Sequence, residues 1–201
     1  MSNTLTIVGV MLLAYMIGNI SPSTLIAKSR GIDIKKEGSG NAGTTNALRV
    51  LGKKAAIATL LIDVGKGMVA VFIAMQLLPY EVAVFSAVAV FFGHIWPVIY
   101  GFKGGKGVAT AFGASLIVDW RIGLCAAAVF ILVVLIFRMV SLGSMLSAFA
   151  FFAATAWFAP AFMVGSLIMV VTVLMKHRSN LNRLFRGEEN RISFGNGDHK
   201  K

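Results

Sequence analysis

The sequence predicts an all-α, polytopic integral membrane protein with seven transmembrane helices, two of them short. Of its 201 residues 57% are hydrophobic and only 13% are charged, and the mean hydropathy is +0.81. A soluble domain carries roughly 25% charged residues, so this chain has too few to cover a water-exposed surface. Apolar runs of bilayer length recur along the chain, and lysines and arginines cluster between them.

The expected spans are apolar segments separated by charged or glycine-rich loops. They are residues 4–27, 55–78, 81–100, 107–119, 122–137, 141–159 and 161–176. A single helix over 107–137 would bury Asp119 and Arg121 near the middle of the bilayer, which is costly. We therefore predict two short helices that turn at this point. A five-span arrangement, with 107–137 as a re-entrant pair, leaves the same sides of the membrane occupied and stays open.

The charge distribution predicts the orientation. The first apolar run is followed by basic residues and not preceded by them, which is typical of an uncleaved helix with its N-terminus outside. Seven spans then put the C-terminus in the cytoplasm. Of the 19 lysines and arginines, only Lys66 and Arg121 fall elsewhere than the inner side.

Residues 1–187 are expected to form one helical membrane domain, and residues 188–201 a polar, disordered C-terminal tail. The net charge of +11 fits the inner-side bias. No basic face with interleaved aromatic residues indicates a nucleic-acid partner.

The first of three polar segments at the inner surface is "GSGNAGTTNALR", Gly38 to Arg49. Glycines allow backbone N–H groups to point together, and hydroxyl and amide side chains add donors, which favours a phosphate or carboxylate. An arginine can bind an oxyanion with two parallel hydrogen bonds. The candidate residues are Gly38, Ser39, Gly40, Asn41, Thr45, Asn46 and Arg49.

The second segment, "GHIWPVIYGFKGGKGVAT", contains glycines and lysines but is not a P-loop. Three residues, not four, separate Gly101 from the Gly105–Lys106 pair, and Gly107 stands where Ser or Thr is required. Its glycines precede a helix start, which favours an anion. The candidates are Lys103, Gly104, Gly105, Lys106 and Gly107. The alternative, that both lysines only mark the inner side, stays open.

The third segment, "KHRSNLNRLFRGEE", follows the last span. His177 can act as a base or as a phosphate donor near neutral pH, and Asn180 lies one turn away. Arg183 and Arg186 are expected to anchor anionic lipid. Ser141, in an inner turn, is a further candidate for the site.

Within the second span, Asp63 and Lys66 are spaced i and i+3 and are expected to neutralise each other in a structural role. No cluster of histidines and carboxylates has the spacing of a metal site, and no carboxylate accompanies His177 to form a nucleophilic triad. The sequence therefore predicts no metal and no cofactor.

Together the three segments closely resemble the signature motifs of the bacterial acyl-phosphate-dependent glycerol-3-phosphate acyltransferases, in order, spacing and membrane placement. The resemblance implies a multi-pass enzyme of the inner membrane with its active site at the cytoplasmic face. Such enzymes transfer a fatty acyl group from acyl phosphate to the 1-hydroxyl of glycerol 3-phosphate, giving lysophosphatidic acid and phosphate for phospholipid synthesis. Because acyl phosphate is already activated, neither a metal nor a covalent acyl-enzyme is needed.

The same resemblance implies residue roles. The catalytic residues would be Ser39, Arg49, His177 and Asn180, the stretch Lys103 to Gly107 would bind glycerol 3-phosphate, and Glu188 would be structural. The implied partners are acyl phosphate, glycerol 3-phosphate and membrane lipid, with functional coupling to the enzyme that makes acyl phosphate.

Two rival functions are less consistent with the sequence. Acyltransferases that use acyl-CoA or acyl carrier protein show His and Asp five positions apart, but Ile99 and Asn182 stand at that distance from His94 and His177. A phosphate channel or transporter would place its site near the midplane of repeated halves, and no repeat is visible.

Overall fold

In the computed structural model, which describes residues 3–192, every regular element is a helix. The α-helices are α1 Thr4–Gly18, α2 Pro22–Ser29, α3 Thr44–Leu51, α4 Lys53–Leu77, α5 Tyr80–Ala83, α6 Ser86–Ile95, α7 Val108–Val118, α8 Trp120–Phe137, α9 Val140–Phe158, α10 Met163–Lys176 and α11 Arg178–Phe185. Short 3-10 turns follow α6 and precede α10.

Four helical segments are long and apolar enough to cross a membrane: Lys53–Leu77, Tyr80–Tyr100, Trp120–Phe137 and Val140–Phe158. The number rises to six if each of two bent helix pairs, α1 with α2 and α10 with α11, forms one span. The predicted all-α membrane class is therefore confirmed. Helix α7 is apolar but shorter, so the count of seven stays a prediction.

The expected turn between two helices in 107–137 is confirmed. Helix α7 ends at Val118 and α8 begins at Trp120. The Asp119 side chain caps α8 by accepting from the Arg121 backbone N–H at 2.9 Å, and its carboxylate forms an ion pair with the Arg121 guanidinium at 2.6 Å. The two charges thus neutralise each other at the turn.

The first predicted span is not one continuous helix. It breaks between Gly18 and Pro22, and α2 is bent 40° from α1. The cause is Pro22, which has no N–H to donate and disfavours the helical conformation in the residue before it. Ser21 accordingly has φ −119° and ψ 90°.

Helix α3 was not predicted, because the segment between the first two spans is polar. It packs through Ala47 and Leu51 into a small apolar cluster with Ile34 and Ala55. This packing fixes the first polar segment against the bundle.

The predicted boundary of the C-terminal tail is wrong at its first residues. Glu189 is buried, and the Ile192 N–H donates to the Arg138 carbonyl at 2.8 Å, so the chain beyond Gly187 returns to the bundle. Ser141, one partner of Glu189, lies 48 residues away in sequence, which hid this return. The remaining tail residues, 193–201, lie outside the described residues.

Close approach of α4 and α7 depends on two glycines. A Cβ on Gly67 would lie 2.3 Å from the Thr110 carbonyl oxygen, and a Cβ on Gly113 would lie 2.0 Å from the Val64 carbonyl oxygen. Small residues at helix contacts allow such approach in membrane proteins. The two glycines therefore set the position of α7. The first turn of α7 adjoins residues 103–107, which we call the glycine-rich loop.

Gly67→Ala is expected to lower the free energy of unfolding by about 1–3 kcal/mol, because the added methyl forces two backbones apart. Gly65→Ala is the matched control on the same helix, since a Cβ there meets nothing within 4 Å. Thermal unfolding in detergent measures both. Equal effects of the two substitutions would contradict the packing argument.

Candidate active site

The glycine-rich loop before α7 lies flat against the end of α6. The N–H groups of Gly104 and Gly105 donate to the carbonyls of Ile95 and His94, each at 3.1 Å. These two N–H groups therefore hold the loop in place, and the contact of Gly104 and Gly105 with a phosphate stays a prediction.

Gly107 ends the loop with φ +88°, and no side chain caps the N-terminus of α7. The N–H groups of the first turn of a helix have no partner within the helix, so this end of α7 can accept an anion. Lys103, earlier in the loop, is exposed.

Lys106 joins the second polar segment to the third. Its ammonium donates a short hydrogen bond to the side-chain oxygen of Asn180, which is buried. Burial lowers the pKa of Lys106 to about 8; Glu189 opposes this shift, and the positive charges of Arg183 and Arg49 add to it. The effect of Arg49 brings the first polar segment to the same place, since charges act strongly only over short distances.

Glu189 is the hub of the third segment. Its Oε1 accepts from Ser141 Oγ and from Asn180 Nδ2, both at 2.8 Å, and its Oε2 accepts from Arg183 Nε at 2.9 Å. Burial alone would raise the pKa of Glu189, but the hydrogen bonds from Asn180, Ser141 and Arg183 outweigh it and lower the pKa. The carboxylate therefore stays charged and holds three donors in place.

Two expectations are corrected by this arrangement. The structural role predicted for Glu188 belongs to Glu189, because the Glu188 side chain is exposed while Glu189 is 7% exposed. Arg183 is not only a lipid anchor, because it pairs with Glu189. Neighbouring glutamates cannot be told apart by composition, and only the direction of the side chain separates them.

His177 lies directly after α10 and is buried. Its Nδ1 lies 2.8 Å from the Val173 carbonyl, which only accepts, so the proton is on Nδ1 and Nε2 carries a lone pair. Burial and the charge of Lys106 lower the pKa of His177 to about 4, despite Val173 and Glu189. The ring is therefore neutral at pH 7.

Asn46 holds the first polar segment in shape. Its side-chain oxygen accepts from the Ser39 backbone N–H at 2.8 Å, and its amide donates to the Glu37 carbonyl at 3.0 Å. Gly38 has φ +59°, and a Cβ there would lie 2.3 Å from the Asn46 oxygen. The predicted role of Asn46 in binding substrate is therefore replaced by support of the loop.

Other predicted residues of the first segment remain open to a ligand. Ser39, Gly40 and Arg49 are exposed, and Asn41 is half-buried. Lys35, three residues before this segment, donates through Nζ to the carbonyl of Tyr100 in the second segment at 2.9 Å.

An apolar cavity of about 420 Å³ lies beside these polar groups, between α4, α7, α8, α9 and α10. Thr45 of the first segment and Val108, the first residue of α7, belong to its wall. The other lining residues are Leu60, Ala109, Ala111, Phe112, Ala126, Ala127, Phe130, Ile131, Val140, Ser144, Ser147, Ala148, Phe151, Met169, Val170 and Val173. A charged site and an apolar space therefore share a boundary.

Sequence reasoning missed Glu189 and the role of Arg183, although one signal was present. The chain has only eight acidic residues against 19 basic ones, so a glutamate after a basic segment is a candidate ion-pair partner. The expected ion pair of Asp63 and Lys66 is present, with 2.7 Å between Nζ and Oδ1.

Glu189→Ala is expected to lower turnover about tenfold or more and to lower the unfolding temperature, because it removes the partner of the buried Asn180 amide and of the half-buried Arg183 guanidinium. Glu188→Ala is the adjacent control and should stay within about twofold of the wild type, as is usual for exposed positions. Turnover and thermal unfolding of the two purified variants decide the matter. A larger loss in the Glu188 variant would restore the original assignment.

Comparisons with known proteins agree with this geometry. A family model described as glycerol-3-phosphate acyltransferase matches residues 8–187. A glycerol-3-phosphate acyltransferase of Jannaschia sp. (strain CCS1) is 40% identical over 183 residues, which is 90% of each chain. One from Cronobacter sakazakii is 41% identical over 187 residues, 92% of this chain and 91% of the relative.

The fold also matches solved structures. The crystal structure of PlsY, an integral membrane glycerol 3-phosphate acyltransferase, in its glycerol 3-phosphate form superposes with a TM-score of 0.89 at 34% identity, covering 93% of this chain and 96% of that chain. Its lysophosphatidic acid form gives a TM-score of 0.86 at the same identity, covering 93% and 95%. Sequence and fold together show that the chain belongs to the glycerol-3-phosphate acyltransferase family.

Proposed function

We propose that this acyltransferase transfers a fatty acyl group from acyl phosphate to the 1-hydroxyl of glycerol 3-phosphate, giving lysophosphatidic acid and inorganic phosphate. The reaction takes place at the cytoplasmic face of the bacterial inner membrane and starts phospholipid synthesis. The glycerol 3-phosphate and lysophosphatidic acid forms of the matched structure support the acceptor and the product. The single observation that carries the proposal is that the wall of an apolar cavity includes Thr45 and Val108, which belong to the polar segments that carry Arg49 and Lys106.

Lys106 and Arg49 are the phosphate-binding cations. Lys106 is half-buried, and the charge of Arg49 contributes to lowering its pKa, which supports a shared site for the two cations. Two phosphorylated substrates repel each other, and paired cations offset that repulsion. Ser39, which is exposed, and the uncapped start of α7 supply further donors. Lys103 adds charge at the entrance.

The apolar cavity holds the acyl chain. Thr45 and Val108 line it where it meets the polar segments, so a carbonyl group at that boundary lies between the chain and the phosphate-binding cations. An acyl phosphate has the same division, an apolar chain joined to a phosphate through one carbonyl. This match favours acyl phosphate over a donor with a bulky carrier.

In the reaction, the 1-hydroxyl oxygen of glycerol 3-phosphate attacks the carbonyl carbon of acyl phosphate. The new ester C–O bond forms, the bond from carbonyl carbon to phosphate oxygen breaks, and inorganic phosphate leaves with that electron pair. Acyl phosphate is a mixed anhydride, so the step needs neither a covalent acyl-enzyme nor a metal. The chain's task is alignment, which can contribute ~7–11 kcal/mol, and stabilisation of developing negative charge by Lys106 and Arg49.

The hydroxyl proton goes to a substrate phosphate oxygen rather than to His177. The pKa of His177 is lowered to about 4. The monoanion of a phosphate ester has a pKa of about 6, so the dianion formed from it is a stronger base than the His177 ring. His177 Nε2 instead accepts a hydrogen bond from a substrate hydroxyl and orients it, while Asn180 and Ser141, both bonded to Glu189, keep Lys106 in position.

Purified protein given acyl phosphate and labelled glycerol 3-phosphate should release phosphate and form lysophosphatidic acid, and acyl-CoA should be inert. Arg49→Ala and Ser39→Ala are expected to lower turnover in folded protein, the arginine variant by about 10²-fold, because transition-state charge loses a donor. Arg186→Ala, at another exposed arginine, is the matched control and should keep wild-type turnover. If the protein used acyl-CoA as the donor and did not use acyl phosphate, the proposed donor would be rejected.

The pH dependence of kcat/KM for glycerol 3-phosphate tests Lys106. With its pKa lowered to about 8, Lys106 is charged below that pH and neutral above it, so kcat/KM should fall above about pH 8. Lys106→Arg should remove this alkaline fall, since a guanidinium keeps its charge to about pH 12. An alkaline fall at the same pH in the arginine variant would assign it to another group.

A further inference from the structure

A second buried polar cluster lies apart from the groups that contact substrate. It consists of Asp63 and Lys66 on α4 and His94 on α6, and these residues are 1%, 5% and 7% exposed. The proposed reaction uses none of them. Buried charges away from a reaction site are costly, so their arrangement calls for a reason.

The Lys66 ammonium connects three parts of the chain. It donates to the Ile20 carbonyl at 2.6 Å and to His94 Nδ1 at 2.8 Å, and it forms an ion pair with Asp63 at 2.7 Å. Ile20 lies in the break between α1 and α2, where the helix has lost its regular hydrogen bonds. One side chain therefore fixes this break, α4 and α6 relative to one another.

These contacts also fix the tautomer of His94. An ammonium has donors only, so His94 Nδ1 must accept with its lone pair, and the neutral ring carries its proton on Nε2. His94 Nδ1 also lies 3.3 Å from Asp63 Oδ1, but the contact with Lys66 is shorter and decides the assignment. The ring is held from one edge, and its Nε2 edge faces away from Lys66.

The Nε2 edge of the ring faces the glycine-rich loop. A Cβ on Gly105 would lie 2.1 Å from His94 Nε2, so the loop backbone rests directly on the ring. The His94 carbonyl accepts from the Gly105 N–H, and the next residue along the chain is Lys106. His94 thus contacts the loop twice, through its ring and its backbone, one residue before the phosphate-binding lysine.

We propose that Lys66 and His94 are positioning residues: Lys66 fixes the His94 ring, the ring supports Gly105, and this support sets the depth at which Lys106 enters the phosphate site. The assignment of Lys106 to substrate rests on the proposed function, but the positioning of its side chain does not. A cluster that only neutralised charge would stabilise the fold without affecting Lys106.

The decisive measurement is independent of activity. An amine-reactive reagent acylates only neutral lysine, so the pH at which Lys106 becomes half-reactive, read by peptide mapping, reports its ionisation in the intact protein in detergent. The wild type should give a midpoint near the pKa of about 8 that burial imposes. His94→Ala should raise that midpoint by about one pH unit or more, because a released loop exposes the ammonium to water.

Kinetics give a second readout. In His94→Ala, the KM for glycerol 3-phosphate should rise about tenfold while the KM for acyl phosphate stays within about twofold, because only one substrate contact moves. Leu78→Ala is the matched control. Leu78 is buried in a separate apolar cluster with Val10, Ala74 and Ala83 and does not line the acyl-chain cavity, so its loss should lower the unfolding temperature and leave both readouts unchanged.

A double-mutant cycle tests the contact itself. Gly105→Ala alone should shift the Lys106 midpoint, because the methyl group collides with the ring. In the His94→Ala background the methyl has room, so the same substitution should have a smaller effect, whereas independent sites would add. Since Lys66→Met leaves a buried Asp63 carboxylate unpaired, it is combined with Asp63→Asn, and the folded double variant should show the upward shift of His94→Ala.

An unchanged Lys106 midpoint in folded His94→Ala, or strict additivity in the cycle, would overturn the proposal. If the wild type failed to use acyl phosphate, the proposed reaction would be wrong, while the labelling experiment would still decide whether Lys66 and His94 position Lys106.

Discussion

The carboxylate of Glu189 is the interaction on which the site depends. A chain with a net charge of +11 must keep several cations close together, and this carboxylate supplies the opposing charge. It accepts hydrogen bonds from Ser141 at the start of α9 and from Asn180 and Arg183 on α11. The side-chain oxygen of Asn180 in turn accepts a hydrogen bond from Lys106. Four segments are therefore joined through one ion. Because the polar groups of this network are paired with one another, the nearby cations are held together despite their mutual repulsion.

The glycines of the site serve close packing more than anion binding. Gly105 leaves room for the His94 ring, and Gly38 leaves room for the Asn46 side chain. The N–H groups of Gly104 and Gly105 bond within the fold, so in the proposed reaction the recognition of phosphate falls mainly on side chains and on the start of α7. Burial lowers the pKa of Lys106 to about 8, so the side chain still carries its charge near neutral pH.

The division between polar site and apolar cavity mirrors the amphiphilic chemistry of the family. Helices α4 and α7 to α10 line the cavity, and Thr45 and Val108 bring the first and second polar segments to its wall. An activated acyl donor needs no nucleophile from the protein, and the site contains cations and amide groups instead. In the proposed reaction, holding two reactants in line is then the main contribution of the chain to the rate.

Composition, span lengths and the three motifs by themselves determined the membrane class, the turn at Asp119, the family and most of the residues near the site. These properties are local, since each depends on a run of neighbouring side chains. Tertiary structure decided which polar groups remain free. Lys106 forms a hydrogen bond with Asn180, 74 residues away in sequence, and Ser141 forms one with Glu189, 48 residues away. Asn46, Gly104 and Gly105 form hydrogen bonds within the protein that hold their loops in place. Of the two neighbouring glutamates, Glu189 is the buried one. A hydrogen-bond donor pairs with an acceptor that lies within about 3 Å of it. Folding decides which acceptor that is, because the two groups can be far apart along the chain.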